Sequence, residues 1–97
     1  MTNYQTLLVG QPTLDKPAIS KLVDKTNHQI TKGGGKPVRT SEWGIKKLAY
    51  EIRKQREGFY ILFEFSGEKD CVRQLEDFLN IQTEVLRYMS TRKKGSR

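Results

Sequence analysis

The sequence predicts an α+β fold: a four-stranded antiparallel sheet with two helices packed on one face, in the order β-α-β-β-α-β. Three observations predict it. Two stretches, residues 16–32 and 69–80, carry apolar residues at helical spacing. Four stretches rich in β-branched and aromatic residues flank them. The third of these, REGFYILFEF at residues 56–65, puts only apolar side chains on one of its two faces from Phe59 onward, so that face needs a cover.

Each element follows from local chemistry. Residues 3–10, NYQTLLVG, read as a strand ended by Gly10 and Pro12. Asp15 is placed as an N-cap, and Ala18, Ile19, Leu22, Val23, Thr26 and Ile30 then recur along one helical stripe. Gly33-Gly34-Gly35 stops that helix. Pro37 opens an extended segment, residues 38–52, in which Gly44 predicts a bulge or bend. KQREG, residues 54–58, reads as a polar turn. The third strand follows and closes at Gly67. Val72, Leu75, Phe78 and Leu79 mark the second helix. EVLRYMS, residues 84–90, is the last strand, and TRKKGSR reads as a loose tail. Right-handed crossovers put both helices on one face and give the strand order 4-1-3-2, the ferredoxin-like split βαβ arrangement. The expected organisation is one domain over residues 1–91 and a short basic tail over 92–97.

The aromatic third strand resembles, at first sight, the base-stacking strand of an RNA recognition motif. Alternation excludes that role. Phe59, Ile61, Phe63 and Phe65 share one face, and Tyr60, Leu62 and Glu64 share the other. The motif needs its aromatics on the open face, and here that face ends in Glu64. The phenylalanines are therefore expected in the core, and RNA is expected at loops and edges.

Charge points to a polyanion. The 97 residues carry a net charge of +7. Residues 36–56 and 87–97 hold 12 of the 18 Lys and Arg, with only Glu42 and Glu51 as acids. Each phosphate such a patch neutralises releases counterions. Lys46, Lys47, Arg53, Lys54 and Arg56 are interleaved with Trp43, Tyr50 and Tyr60 around one hairpin, and Arg92, Lys93, Lys94 and Arg97 lie in the tail. All but Arg97 of these basic residues are taken as RNA-binding candidates. A solvated edge whose lysines keep it from pairing with other chains is the alternative.

Other chemistry is poorly supported. GGGKP, residues 33–37, lacks the Gly-Lys-Ser/Thr ending of a phosphate-binding loop and precedes a strand, where that loop opens a helix. His28 has no second His, Cys or i+4 carboxylate to complete a metal site. Asp70, Glu76 and Asp77 fit a helix start and its solvent face. GQPTLDK after the first strand has no arginine, which counts against a small acylphosphatase. Cys71 is alone, so it forms no internal disulfide and fits a reducing compartment. No stretch of 18 apolar residues occurs, and the N-terminal segment reads as a strand. The expectation is a non-enzyme with no cofactor, metal, membrane or small-molecule substrate.

WGIKKLAYEI, residues 43–52, resembles the aromatic-Gly-x-basic-basic-Leu-Ala-Tyr-Pro-Ile stretch of the bacterial small-subunit ribosomal protein six family. YQTLLVGQPTLD at residues 4–15, Gly58-Phe59-Tyr60 and VLRYM at residues 85–89 resemble further parts of that family in the same order. The resemblance implies a ferredoxin-like fold, a place in the central platform region of the small ribosomal subunit, and ribosomal RNA and ribosomal protein eighteen as partners. It further implies a cytoplasmic, ribosome-associated protein. By position it makes Lys46, Lys47 and Arg87 RNA-facing. Glu51 stands where the family has Pro, Leu86 where some members are basic, and the basic tail where some end acidic. The alternatives are a free-standing regulatory nucleic-acid-binding module and, less favoured, a small ferredoxin-like enzyme. An exposed second strand beside an open face further predicts a protein-docking surface of Trp43, Ile45, Tyr50, Tyr60 and Leu62.

Overall fold

The computed structural model describes residues 2–92. Its elements are β1 (Thr2–Gly10), α1 (Lys16–Lys32), β2 (Lys36–Ile52), β3 (Gln55–Gly67), α2 (Lys69–Asn80) and β4 (Val85–Arg92). The sheet order is β2-β3-β1-β4, with every neighbouring pair antiparallel. This is the predicted ferredoxin-like arrangement. Of the central strands, β3 follows the burial alternation of a sheet covered on one side. In β3, Ile61, Phe63 and Phe65 are buried while Tyr60, Leu62 and Glu64 are partly exposed.

The core joins Leu8 of β1 and these three β3 residues to Ile19, Leu22 and Ile30 of α1 and to Cys71, Leu75 and Leu79 of α2. Phe59 packs against it half-buried, because it lies where β3 leaves the helices. Tyr4 stacks on its cross-strand partner Phe65, centroids 5.9 Å apart. The buried polar groups are satisfied. Thr6 and Ser90 share a hydroxyl hydrogen bond of 2.8 Å, and Thr26 donates to the Leu22 carbonyl at 2.7 Å. Cys71 was noted in the sequence only as a lone thiol, and it proves to be a core residue.

The caps of α1 follow from its sequence. The Asp15 carboxylate accepts from the Ala18 N–H at 2.9 Å, which satisfies a donor at the helix start. At the other end Gly34 donates to the Thr31 carbonyl and Gly35 to that of Ile30, a Schellman closure.

Two expected boundaries change. KQREG is not the turn: Arg53 and Lys54 alone form it, and β3 resumes at Gln55, opposite Ile52. Thr91 and Arg92 are not loose tail: they extend β4, opposite Gln5 and Tyr4. Pairing along an edge strand overrides their polar composition. Lys93, Lys94 and Arg97 lie outside the described residues.

Candidate nucleic-acid interface

The distal part of β2 and the start of β3 form an arm that departs from the flat sheet. Two features of the sequence bend it. Gly44 has φ of 90°, a left-handed conformation that glycine adopts without a Cβ penalty, and the register slips between Glu42 and Gly44. Trp43 is the extra residue of this bulge. Beyond Lys47 the register slips again, so residues 48–51 of β2 have no ladder partners of their own before Ile52 meets Gln55. Arg53 and Lys54 then turn the chain with φ of 49° and 67°. Two consecutive positive φ values match a tight hairpin turn, a geometry usually given to Asn-Gly.

The arm curls over the end of β1. A Cβ on Gly58 would lie 2.3 Å from Val9 Cγ1 and 3.5 Å from Leu48 Cδ2, so β3 crosses β1 there with no room for a side chain. Val9 faces away from the helices, yet it is only 5 % exposed. Between the arm and Pro12 of the β1–α1 loop lies a groove of about 670 Å³, lined by Leu48, Tyr50 and Arg56 among others.

At its far side the arm reaches β4. The Arg87 guanidinium lies 5.5 Å from the Tyr50 ring centroid and donates to the Tyr50 hydroxyl through Nη1. Arg53 borders a hollow of about 240 Å³ together with Leu86, Arg87 and Tyr88 of β4 and Leu79 and Asn80 of α2. In a flat sheet of this order, β2 and β4 stand three strand spacings apart, about 14 Å. Curling removes that distance.

The predicted basic residues thus divide. Lys46, Lys47, Arg53, Lys54 and Arg56 on the arm gather with Arg87, and all six are exposed. Arg92 is not with them. It pairs with Tyr4, whereas Arg87 pairs with Val9, and those two β1 positions are about 17 Å apart along the strand. Lys46 and Lys47 also separate locally. Lys46 is opposite Gly58, on the face of Tyr60, and Lys47 is opposite Glu57, on the other. Glu51, in the place of the family's Pro, lies 3.7 Å from Arg56 Nε across the arm in an exposed ion pair.

The predicted docking residues divide as well. The open face has an apolar row of Met89, Leu7 and Leu62, paired in register. Beside it Trp43 stacks on Tyr60 with centroids 6.4 Å apart and planes 5° from parallel, and Trp43 is 48 % exposed. Ile45 does not belong to this surface. It pairs with Phe59, so it lies on the helix side of the sheet. Tyr50 is 58 % exposed, but Arg87 holds it. Leu7 and Met89 were missed by the sequence reading; period-two alternation from Leu8 and Tyr88 marks both.

Among the described residues no group of His, Cys, Asp or Glu could hold a metal ion, and no helix is long and apolar enough to cross a membrane. Cys71 is buried, and desolvation pushes its thiol above the ordinary value. Its Sγ donates weakly to the Ile30 carbonyl at 3.5 Å. It is a packing residue.

Comparison with known proteins agrees with this architecture. The family model described as ribosomal protein S6 matches residues 3–92. A small ribosomal subunit protein bS6 of Moorella thermoacetica is 42 % identical over 92 residues, covering 95 % of this chain and 94 % of the relative. That of Desulfitobacterium hafniense is 39 % identical over 94 residues, covering 97 % and 99 %. Among solved structures, 30S ribosomal protein S6 of Thermotoga maritima superposes with a TM-score of 0.88 at 26 % identity, over 95 % of this chain and 87 % of that one. These relatives are structural proteins of the ribosome and not enzymes. With the match running through nearly every element described above, the chain belongs to the ribosomal protein S6 family of the bacterial small ribosomal subunit.

Proposed function

We propose that this ribosomal protein binds small-subunit ribosomal RNA in the central platform region, together with ribosomal protein eighteen, in the cytoplasm. The observation that carries the reading is the curled arm. It gathers six cations from β2, β3, the turn between them and β4 at one end of the sheet, next to an apolar open face. Phosphates meet the cations, and the partner covers Leu7, Leu62, Met89 and the Trp43–Tyr60 pair. RNA affinity of the isolated protein is low, because the partner completes the contacting surface. Lys93 and Lys94 add contacts from the tail.

The test is a salt titration. Lys46→Ala combined with Lys47→Ala lowers RNA affinity and reduces the log–log salt slope by about 0.7–0.9 per lost phosphate contact. Only one of the two lysines faces the open side, so a drop matching a single contact assigns it to that side. An unchanged slope overturns the arm as the RNA surface. Leu62→Glu tests the partner: association with ribosomal protein eighteen is lost while the melting temperature holds. Tight, specific RNA binding by the isolated protein would defeat the partner requirement.

A further inference from the structure

We infer that Arg87 is a positioning residue: it clasps Tyr50, holds the basic arm over the sheet end, and thereby presets the arm's cations for RNA. The inference rests on the RNA reading above. It changes the role of Arg87 from a phosphate ligand to the anchor of other ligands.

Four observations carry it. Residues 48–51 have no partners of their own in the β2–β3 register, so that part of the arm lies outside the regular pairing of the sheet. The turn is strained, since Arg53 and Lys54 both sit at positive φ, a region that side-chain-bearing residues rarely adopt. Something outside the ladder must therefore hold the arm down. Its Tyr50 side chain meets Arg87 of β4, a contact that uses both the face of the ring and its hydroxyl. Finally, the guanidinium plane is committed to a ring, while Lys46, Arg53 and Lys54 have no such engagement and are exposed. A planar guanidinium suits this double contact and an ammonium does not.

The free, full-length protein gives the first readout. Tyr50→Ala, Arg87→Ala and the double variant each speed amide exchange at residues 48–56 by roughly three- to tenfold. The double variant adds nothing to either single one, because each breaks the same clasp. Exchange in Phe63 and Leu8 stays unchanged. Arg87→Lys, which keeps the charge, behaves like Arg87→Ala, and Tyr50→Phe, which keeps the ring, gives a smaller effect.

The second readout is binding to small-subunit ribosomal RNA with ribosomal protein eighteen present. Tyr50→Ala removes no charge, yet it weakens binding about as much as Arg87→Ala, and the salt slope of both stays at the wild-type value. Unchanged arm exchange in Tyr50→Ala overturns the clasp. So does a slope lowered by about 0.7–0.9 in Arg87→Ala alone, which would make Arg87 a direct phosphate contact. The Lys46, Lys47 double variant separates the two ideas. If it weakens RNA binding while Tyr50→Ala does not, the RNA reading stands and the clasp falls. If it has no effect, the RNA reading fails whatever the exchange shows.

Discussion

The helix-backed body of the sheet and the curled β2–β3 arm are continuous in the chain, but they are held by different forces. In the body, the central strands β1 and β3 pair in unbroken register from Thr2 to Gly10, and buried residues such as Leu8, Phe63 and Leu75 touch no solvent. In the arm, the ladder is interrupted twice, the turn is strained, and the contacts are one close approach at Gly58 and one clasp at Tyr50. The body's apolar face is sealed by its own helices. The arm's exposed side carries cations and seals nothing. On the proposed reading, structure and function are divided in space: changes in the body cost the fold, and changes in the arm would cost the encounter with RNA.

The sharpest way to break that comparison is to cut the body. Phe63→Ala removes a ring with no solvent exposure from the centre of β3. It should destabilise the protein by about 3–5 kcal/mol, through lost transfer energy and the cavity left behind. Urea denaturation followed by far-UV circular dichroism measures this. A loss of less than about 1 kcal/mol would mean that the core collapses around the gap and that the body is looser than its burial implies.

Gly58→Val probes the joint between the regions. The new Cβ would meet Val9 Cγ1 at 2.3 Å, and Val9 cannot retreat because it is itself covered. Overpacking of this kind costs about 1–3 kcal/mol. The strain should be released by lifting the arm, so amide exchange should rise across residues 46–57 and stay slow in β1. Equal acceleration in both regions would show that the arm is part of the cooperative core.

Cys71 gives a smaller, pH-dependent effect confined to the body. Burial pushes its thiol above the ordinary value. A folded-state value raised above the unfolded one stabilises the fold fully below the unfolded value, and that contribution is lost as pH rises through the folded one. Wild-type stability should therefore fall on the alkaline side, and Cys71→Ala, though less stable from lost packing, should fall less steeply there. Parallel urea titrations at rising pH compare the two slopes. Identical slopes would mean that the thiol ionises over the same pH range folded and unfolded, so that burial does not shift it.

The two regions also differ in how much the sequence disclosed. The body was legible because its period is regular. Alternation in residues 59–65 separated Phe63 from Leu62, helical spacing located α1 and α2, and Asp15 marked a cap. Gly44 announced its bulge, since few other reasons put glycine inside a strand. The arm was only partly legible. Its turn sits on Arg53-Lys54, residues with no turn propensity of their own, so the neighbouring KQREG took the assignment. The meeting of Tyr50 with Arg87 joins strands at opposite edges of the sheet, and a one-dimensional pattern carries no signal for it. Ile45 was misassigned for a related reason: the extra residue at Trp43 shifts the parity of everything after it, which sends Ile45 to the helix side.

Glu51→Gln should have the smallest effect on stability and is informative for that reason. Its ion pair with Arg56 is 3.7 Å long, with side chains 53 % and 88 % exposed. Exposed pairs contribute about 0.2–1 kcal/mol at most and are screened by salt, so the melting curve should hardly move. RNA binding should move in the other direction. Glu51 and Glu57 are the carboxylates among residues 46–57, and removing one strengthens the positive field that the arm presents to phosphate. Affinity should rise at low ionic strength, and the gain should shrink as salt approaches a Debye length shorter than the spacing of the charges. The substitution would then separate the arm from the body by sign as well as by size: neutral for folding, favourable for RNA. A destabilised protein with unchanged RNA affinity would reverse that assignment and make the Glu51–Arg56 pair a structural brace of the hairpin.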